Sequence, residues 1–331
     1  MRAIVVDEFG PPERLLVRGA PTPVPGPGEI LVEIHAAPVN FVDTLVVGGA
    51  YQFLPPRPFI PGKGPAGVVV ALGSGVTGLR IGDRVLAMAE SGGYAEAVSV
   101  AVGQCYQLPA SMDFTEAASL AVVYDTSWVA LHDRARLAPG ETVLVLGASG
   151  GVGHASVQLA RAMGASVLGA ISRPEREMAV RAAGADAIID LSRPNLRDSL
   201  REQVNAATDG RGADVIIDPL GGAVFGAAIR ALAWCGRLVV VGFAAGDIPT
   251  LKINYLMLKN IEVSGLQISD YRYRRPDELK ACYAELFSLY DRGLIKPAPA
   301  TLFSLDRAGE ALAAVRDRRI DGRAVLRVRE G

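Results

Sequence analysis

The stretch "VLVLGASGGVGHASVQLARAMGASVLGAISRPER", residues 143–176, contains a strand, a glycine-rich turn, a helix and a second strand in immediate succession. Its apolar start is typical of a buried parallel strand, and the turn opens the helix at once. In this context a glycine pattern indicates a bound dinucleotide. Gly150 would let the backbone approach a pyrophosphate closely, and Gly153 would let the helix lie near the strand. The free N–H groups at the helix start favour phosphate. The alternative is a tight turn with no ligand.

The end of the second strand predicts which dinucleotide is bound. A site for NAD usually has an acid there that holds the ribose hydroxyls, but no Asp or Glu occurs between Glu141 and Glu175. The strand instead continues into Ser172 and Arg173, with Arg176 three residues later. Arginine pairs well with a phosphate dianion, so these residues predict NADPH. The alternative is that both arginines belong only to a solvated helix face.

Composition excludes several classes of protein. Half of the 331 residues are hydrophobic and 21% are charged, as in folded globular proteins. The net charge of −1 shows no basic footprint for nucleic acid or an anionic membrane, and no run approaches the roughly 20 apolar residues of a membrane span. The apolar run near the N-terminus is too short for a signal peptide. Three widely spaced cysteines argue against a disulfide framework, and we expect a cytoplasmic protein.

The pattern of apolar runs predicts an α/β protein with two domains. Residues 1–121 are rich in glycine and proline and contain short β-like runs, whereas 122–264 alternate strands with helical patterns. We expect 122–264 to form a Rossmann NADPH-binding domain with a doubly wound parallel six-stranded sheet. The predicted strands are 142–146, 166–170, 187–190, 214–218, 237–242 and 261–265.

The helices of the second part and the C-terminal tail complete this prediction. Residues 265–331 are expected to pack back onto 1–121, so that the two segments form one catalytic domain. In the tail, 276–295 is predicted as an amphipathic helix, and Asp306 is predicted to cap a further helix that stops near Gly322. The helices predicted within the Rossmann domain are 151–163, 174–183, 195–208, 222–234 and 253–259.

Several motifs in a fixed order make the family recognisable. They are "VNFVDTLVVGGAY" (39–51), "PGKGPAGVVVALGSGVTGLRIGDRVLA" (61–87), the glycine turn, and "GRAVL" (322–326). With these motifs the whole chain resembles the zinc-independent medium-chain dehydrogenase/reductase superfamily, in its NADPH:quinone oxidoreductase branch. The resemblance implies a GroES-like β-rich catalytic domain, a Rossmann domain, an active-site cleft between them, and a homodimer that shares a sheet edge at 262–266.

The resemblance also implies roles for individual residues. Asn40 and Asp43 would line the site beside the nicotinamide, and Arg323 would lie near the cofactor. Ser172, Arg173 and Arg176 would surround the 2′-phosphate. The remaining implied cofactor contacts are Tyr124, Thr126, Ser149, Gly150, Gly151, Val152, Gly153, Gly242 and Phe243.

Some positions depart from the family pattern. Leu45 and Val47 stand where quinone oxidoreductases often carry Tyr and Arg, which makes the expected substrate pocket less polar. Gly64 replaces a common Glu, and Lys63 lies next to it. In zinc-dependent relatives this stretch would hold a His–Glu pair, so we expect no metal site.

Without a Lewis acid, a conjugated acceptor fits better than an isolated ketone, because the charge left by hydride addition can move to oxygen. Tyr51 is the candidate proton donor, since its spacing from Asn40 matches the donor tyrosine of enoyl reductases in the superfamily. Alternatively, it only forms a wall of the pocket. Asn40 could bind the carbonyl or a ribose hydroxyl, or it could be a turn residue.

The leading hypothesis is NADPH-dependent reduction of quinones or activated α,β-unsaturated carbonyls. An enoyl-thioester (acyl-CoA) reductase is the alternative within the superfamily. A low-turnover NADPH-binding or RNA-binding crystallin-like protein is the alternative from another class, and a zinc-dependent alcohol dehydrogenase is a third. The small-molecule acceptor itself is not specified by these residues.

Overall fold

The structure, a computed structural model, describes residues 1–329. The strands along the chain are β1 Arg2–Ile4, β2 Val17–Gly19, β3 Glu29–Val39, β4 Ala66–Leu72, β5 Arg84–Ala87, β6 Ala97–Ala101, β7 Cys105–Gln107, β8 Thr142–Leu146, β9 Ser166–Ile171, β10 Ala187–Asp190, β11 Ala213–Asp218, β12 Leu232–Val240, β13 Glu262–Gly265, β14 Ala300–Ser304 and β15 Arg323–Arg327.

The α-helices are α1 Phe41–Gly48, α2 Phe114–Leu120, α3 Val123–Val129, α4 Gly151–Ala162, α5 Glu177–Ala182, α6 Leu196–Ala207, α7 Gly222–Ala228, α8 Asn254–Lys259, α9 Ile268–Arg274, α10 Pro276–Asp291 and α11 Ala308–Arg316. A π-helical turn at Ala130–Arg134 follows α3. Within residues 1–329, no helix combines the length and the apolar composition that a membrane crossing requires.

The chain forms two compact units. Among the described residues, the first unit contains 1–122, 272–287 and 297–329, and the second contains 123–271 and 288–296. Relative to the predicted limits, residues 265–271 and 288–296 group with the second unit.

The first unit is built on a largely antiparallel sheet. Its strand order is β14-β15-β3-β4-β5-β7, and β6 also pairs with β3. The long strand β3 buries alternate side chains such as Ile30, Val32 and Ile34, as expected for a strand with one face on a core. The C-terminal strand β15 pairs with β3, so the end of the chain completes the sheet that its beginning starts.

The second unit confirms the predicted doubly wound fold. Its six strands are all parallel, in the order β10-β9-β8-β11-β12-β13. All five residues of the central strand β8 are buried, which is why its sequence is continuously apolar. The strand order reverses between β8 and β11, and ligands of such sheets bind outside the carboxyl ends of the strands at this point.

The limits predicted for one helix and one strand in this unit are wrong. The helix predicted at 222–234 ends at Ala228, with a 3₁₀ turn to Ala231, and β12 begins at Leu232 rather than at 237. Leu232 pairs with Ala213, and the register then shifts before Arg237 pairs with Val215. This bulge exposes the side chain of Trp234, so the local pattern does not read as a strand.

The prediction for the C-terminal helices is also corrected. The helix α10 ends at Asp291 instead of 295, and a glycine with φ +68°, Gly293, follows it. The helix α11 begins after Arg307, which holds the N-cap position predicted for Asp306, and it ends at Arg316. The carboxylate of Asp306 instead accepts two hydrogen bonds, of 2.6 and 2.7 Å, from Arg2. A contact with a residue distant in sequence therefore displaced the local capping interaction.

Candidate active site

The glycine turn lies between β8 and α4, at the carboxyl edge of the parallel sheet. Gly150 donates its N–H to the carbonyl of Gly147 at 2.9 Å, and a Cβ added to Gly153 would lie 2.1 Å from that same oxygen. The strand β8 and the helix α4 therefore approach each other more closely here than a side chain at residue 153 would allow. No side chain caps the start of α4, so the first N–H groups of this helix can bind an anion.

The end of β9 carries the residues predicted to bind the 2′-phosphate. Ser172 and Arg173 follow the strand directly and are exposed, and Arg176 is half-buried in the next turn. The neighbouring strand β10 ends in an acid, Asp190, whose carboxylate accepts hydrogen bonds from the N–H and hydroxyl of Ser192 at 2.8 and 2.6 Å. Directly after β9, Ser172 and Arg173 thus place a hydroxyl and a guanidinium where an NAD site usually has an acid, and Glu175 follows in the next turn.

A third loop at this edge was missed by sequence reasoning. After β11 the chain turns at residues 219–222, and a Cβ on Gly147 would lie 3.0 Å from the Cδ2 atom of Leu220. Leu220 thus lies against the glycine turn. The signal was present as "DPLGG", since Gly221 and Gly222 both have positive φ, of 69° and 55°.

This loop holds the segment that contains Gly242 and Phe243. Ala244 donates to the carbonyl of Pro219 at 3.0 Å, and Ala245 donates to that of Leu220 at 2.9 Å. A Cβ on Gly221 would lie 2.8 Å from the Phe243 ring. The carboxylate of Asp218 stabilises the loop, because one of its oxygens accepts the N–H groups of Leu220 and Gly221 at 2.8 and 2.9 Å.

Tyr124 and Thr126 lie on the buried helix α3. The hydroxyl of Tyr124 lies 2.9 Å from Gln158 Oε1 and 3.1 Å from the carbonyl oxygen of Lys296. Gln158 also accepts the N–H of Lys296 at 2.9 Å. These contacts fasten the segment 288–296 to α4, so the Tyr124 hydroxyl has a structural task within the second unit.

The first unit contains a buried polar group around Asp43. One carboxylate oxygen of Asp43 accepts hydrogen bonds from the backbone N–H of Asn40 at 2.9 Å, its side-chain amide at 3.3 Å and the Tyr94 hydroxyl at 3.0 Å. The side-chain amide oxygen Oδ1 of Asn40 accepts a hydrogen bond from the Arg323 guanidinium at 2.8 Å. Asn40, Asp43 and Arg323, predicted from two distant parts of the sequence, are thus joined by hydrogen bonds.

Burial dominates the electrostatics of this group. It raises the pKa of Asp43 to about 6, although the three hydrogen bonds and nearby Lys63 favour the carboxylate. Because the Asp43 carboxylate accepts the backbone N–H of the N-cap residue Asn40, it also acts as half of a capping box at the start of α1. Asp43 therefore positions Asn40 as well as lining the group.

Lys63, Glu90 and Arg272 form a second charged cluster in the same unit. The Lys63 ammonium and the Arg272 guanidinium both pair with the Glu90 carboxylate. Although burial favours the neutral acid, the two cations hold the pKa of Glu90 below its usual value. The Lys63 Nζ atom lies 5.9 Å from the centre of the Tyr51 ring, so the candidate proton donor stands beside a buried cation.

Comparison with known proteins identifies the family. The model described as "Alcohol dehydrogenase GroES-like domain" matches residues 26–110, and the one described as "Zinc-binding dehydrogenase" matches 151–287. A "Quinone oxidoreductase-like protein 2 homolog" from Nematostella vectensis is 38% identical over 333 residues, which cover 99% of this chain and 89% of that protein. The chain belongs to the medium-chain dehydrogenase/reductase superfamily, in its quinone oxidoreductase branch.

Other members of the superfamily agree over the same length. Human "Quinone oxidoreductase" is 34% identical over 94% of this chain and 92% of its own. The crystal structure of Escherichia coli quinone oxidoreductase complexed with NADPH superimposes with a TM-score of 0.91 at 28% identity, covering 99% of this chain and 100% of that one. The GroES-like domain and the Rossmann sheet expected from the sequence are confirmed.

Although one family model is described as zinc-binding, no three His, Cys, Asp or Glu side chains within residues 1–329 are grouped to hold a metal ion. Of the three cysteines, Cys105 has a pKa raised to about 12 by burial, so its thiol stays protonated.

Proposed function

We propose that this chain reduces quinones or activated α,β-unsaturated carbonyls, with hydride from NADPH and without zinc. The observation that carries the proposal is the glycine turn where the strand order reverses, beside a β9 end at which Ser172 and Arg173 stand where an NAD site usually has an acid. The names of the quinone oxidoreductase relatives and the NADPH complex of the Escherichia coli enzyme support both parts of it.

The residues present fit a dinucleotide phosphate. The uncapped start of α4 offers backbone N–H donors for the pyrophosphate, and Arg173 offers a planar pair of donors for a 2′-phosphate. Leu220 and Phe243 border the same edge with apolar surface. When bound, NADPH would supply the hydride, and the protein would bind and orient it.

The first unit supports the second half of the reaction. After hydride addition to a conjugated acceptor, negative charge collects on its oxygen, and a proton must follow. We assign this donation to the Tyr51 hydroxyl, which would recover its proton from water. The second candidate activity is the reduction of activated C=C bonds. The cation beside Tyr51 favours it, because an enolate product needs a positioned proton donor more than a reduced quinone does.

The side chains at the positions of the zinc-binding relatives argue for metal-independent chemistry. Lys63 and Gly64 occupy the stretch where a His–Glu pair would be expected, and an ammonium repels a metal cation rather than binding it. Activity that survives prolonged chelation, with no stoichiometric metal in the active protein, is the expected outcome.

The experiment that tests the function is NADPH consumption by purified, metal-free protein with separate acceptors. 1,4-Benzoquinone, 9,10-phenanthrenequinone, an alkenal and crotonyl-CoA would be compared, with NADH in parallel. We expect turnover of the quinones or the alkenal with NADPH. Turnover of crotonyl-CoA alone would make the chain an enoyl-thioester reductase, and turnover of none would contradict the proposal.

We also propose that the chain works as a homodimer through β13. Within the described residues this four-residue strand pairs only with β12, which leaves its other edge open. The preceding helix α8 exposes Met257 and Leu258, by 73% and 68%, and its N-cap residue Ile253 is 78% exposed. Sedimentation of the purified protein should give a dimer, and Met257→Glu should shift it toward monomer; a monomeric wild type would contradict this.

A further inference from the structure

Lys63 is held rigidly by its backbone surroundings. It stands between two glycines with φ of +98° and +68°, Gly62 and Gly64. The carbonyl of Gly62 accepts the N–H of Gly93 at 3.0 Å, and Gly64 donates to the carbonyl of Ala89 at 3.1 Å. The chain on both sides of Lys63 is therefore fastened to residues 89–93, the segment that carries Glu90. This backbone pairing determines where the lysine side chain lies.

The lysine is buried but only partly used. The residue is 7% exposed, and its ammonium has three N–H donors. One of them pairs with Glu90; within residues 1–329, the other two have no hydrogen-bond acceptor. A buried donor without a partner is costly, so this ammonium favours any site ligand that brings an acceptor.

The Lys63 ammonium shares its carboxylate with a second cation. Glu90 also pairs with Arg272, whose side chain is 1% exposed. The carboxyl of Asp43, whose pKa burial raises to about 6, interacts electrostatically with Lys63 as well.

The Lys63 ammonium also lies near the candidate proton donor. The distance of 5.9 Å from Nζ to the centre of the Tyr51 ring is within the range of a cation–π contact. A ligand oxygen that reaches the neighbourhood of Tyr51 therefore meets the field of a fixed positive charge, as in the oxyanion sites of other enzymes.

We propose that Lys63 is an oxyanion-binding residue of the reduction site, which with Tyr51 receives the negative charge that develops on the oxygen of a quinone or an α,β-unsaturated carbonyl. This inference rests on the proposed function and names its acceptor class: compounds whose reduction places charge on an oxygen. The hydride forms a C–H bond, the electron pair of the conjugated system moves to oxygen, and the Lys63 ammonium stabilises that oxygen until a proton from Tyr51 or water neutralises it.

The experiment measures anion binding without turnover. 4-Nitrophenol mimics the charged oxygen, and its phenolate absorbs visible light; 4-nitroanisole has the same ring and no charge. Both would be titrated into the metal-free protein, wild type and Lys63→Met. We expect Lys63→Met to bind the phenolate about tenfold more weakly, the size of one lost charge-assisted hydrogen bond, and to bind the anisole unchanged.

Matched variants keep the test specific. Lys280→Met removes an exposed lysine of α10 in the same unit and should leave both titrations unchanged. In Lys63→Met the Glu90 carboxylate keeps its partner Arg272, so the variant should fold; if it does not, Lys63→Gln replaces it. Lys63→Arg, which retains the charge, should retain the preference for phenolate.

The outcomes separate this inference from the function itself. Equal phenolate binding by wild type and Lys63→Met, or parallel weakening of phenolate and anisole, would overturn the role of Lys63. If phenolate binding depends on Lys63 but the wild type reduces no acceptor of the panel, the oxyanion site stands and the proposed reductase function fails. If phenolate binding depends on Lys63 and the wild type reduces an acceptor, kcat/KM for that acceptor should fall in Lys63→Met while the NADPH dissociation constant is unchanged.

Discussion

The edge of the parallel sheet in the second unit and the polar group around Asp43 in the first unit are built differently. At the sheet edge the decisive contacts are between backbones: Gly153 against the carbonyl of Gly147, and residues 244–245 against 219–220. Around Asp43 they are between side chains: Asp43 with Tyr94, and Asn40 with Arg323. A backbone site tolerates changes of side chain except where a Cβ would intrude. A side-chain site depends on each functional group and on pH.

The largest effect should come from the backbone site. In Gly153→Ala the new Cβ would lie 2.1 Å from the carbonyl oxygen of Gly147, so the strand β8 and the helix α4 must separate. We expect a loss of stability on the order of 2–4 kcal/mol, as for a severe overpacking change, and loss of NADPH binding. Gly150→Ala is the control for stability, because a Cβ there would lie 3.3 Å from the Gly147 oxygen and the φ of Gly150 is −82°. Denaturant unfolding would measure the stability and NADPH fluorescence the binding; an equal loss of stability in the two variants would refute the backbone account.

The next effect concerns the pH dependence of the side-chain site. The pKa of Asp43 is raised by burial from 3.8 to about 6. The folded state therefore holds this proton more tightly than the unfolded state, and the contribution of Asp43 to stability is lost as pH rises from about 4 to 6. Asp43→Asn keeps an oxygen for the three donors and should remove this dependence, which amounts to at most about 3 kcal/mol.

Urea unfolding of Asp43→Asn and wild type at several pH values between 4 and 7.5 would measure the difference. Asp43→Ala serves as control, since it also removes the dependence but loses the bonds to Asn40 and Tyr94 and should be less stable at every pH. Parallel pH profiles of wild type and Asp43→Asn would show that Asp43 does not titrate as its burial requires.

A smaller effect tests the cofactor preference. Arg173→Ala removes the guanidinium at the end of β9 and should weaken NADPH binding about tenfold while leaving NADH unchanged, since a charge-assisted hydrogen bond contributes about 1.5 kcal/mol or more. Arg201→Ala, an exposed arginine on α6, is the matched control. Fluorescence titration with both dinucleotides measures it. Equal losses for NADPH and NADH would count against a 2′-phosphate contact.

The smallest effect tests whether the Tyr124 side chain contributes to cofactor binding at the edge of the parallel sheet. Tyr124→Phe removes the hydroxyl near Gln158 and Lys296, which should cost about 1 kcal/mol of stability without changing NADPH affinity. Tyr273→Phe, at a tyrosine 65% exposed, should change neither quantity. A clear loss of NADPH affinity in Tyr124→Phe would mean that its hydroxyl contacts the cofactor, as the resemblance had implied.

The two sites also differ in how far they could be predicted. The turn at 147–153 and the residues after β9 lie within 30 residues of one another, in one continuous strand–helix–strand unit. Local sequence patterns were therefore enough to predict both. The loop at 219–222 belongs to the same edge but follows a distant strand, and only the sheet order brings Leu220 to Gly147. Lys63 was noted only as a departure from the family pattern, because Glu90 and Arg272 lie far from it in sequence.

The sequence by itself determined the parallel sheet, the glycine turn, the absence of an acid after β9 and the family, because hydrophobic periodicity and turn chemistry act over neighbouring residues. Only the tertiary structure decided that Asp306 pairs with Arg2 rather than capping a helix, that β12 begins at a bulge near Trp234, and that Lys63 lies between Glu90 and Tyr51. Those features depend on which distant segments become neighbours. Burial then shifts the pKa of the groups that it encloses, as it does for Asp43.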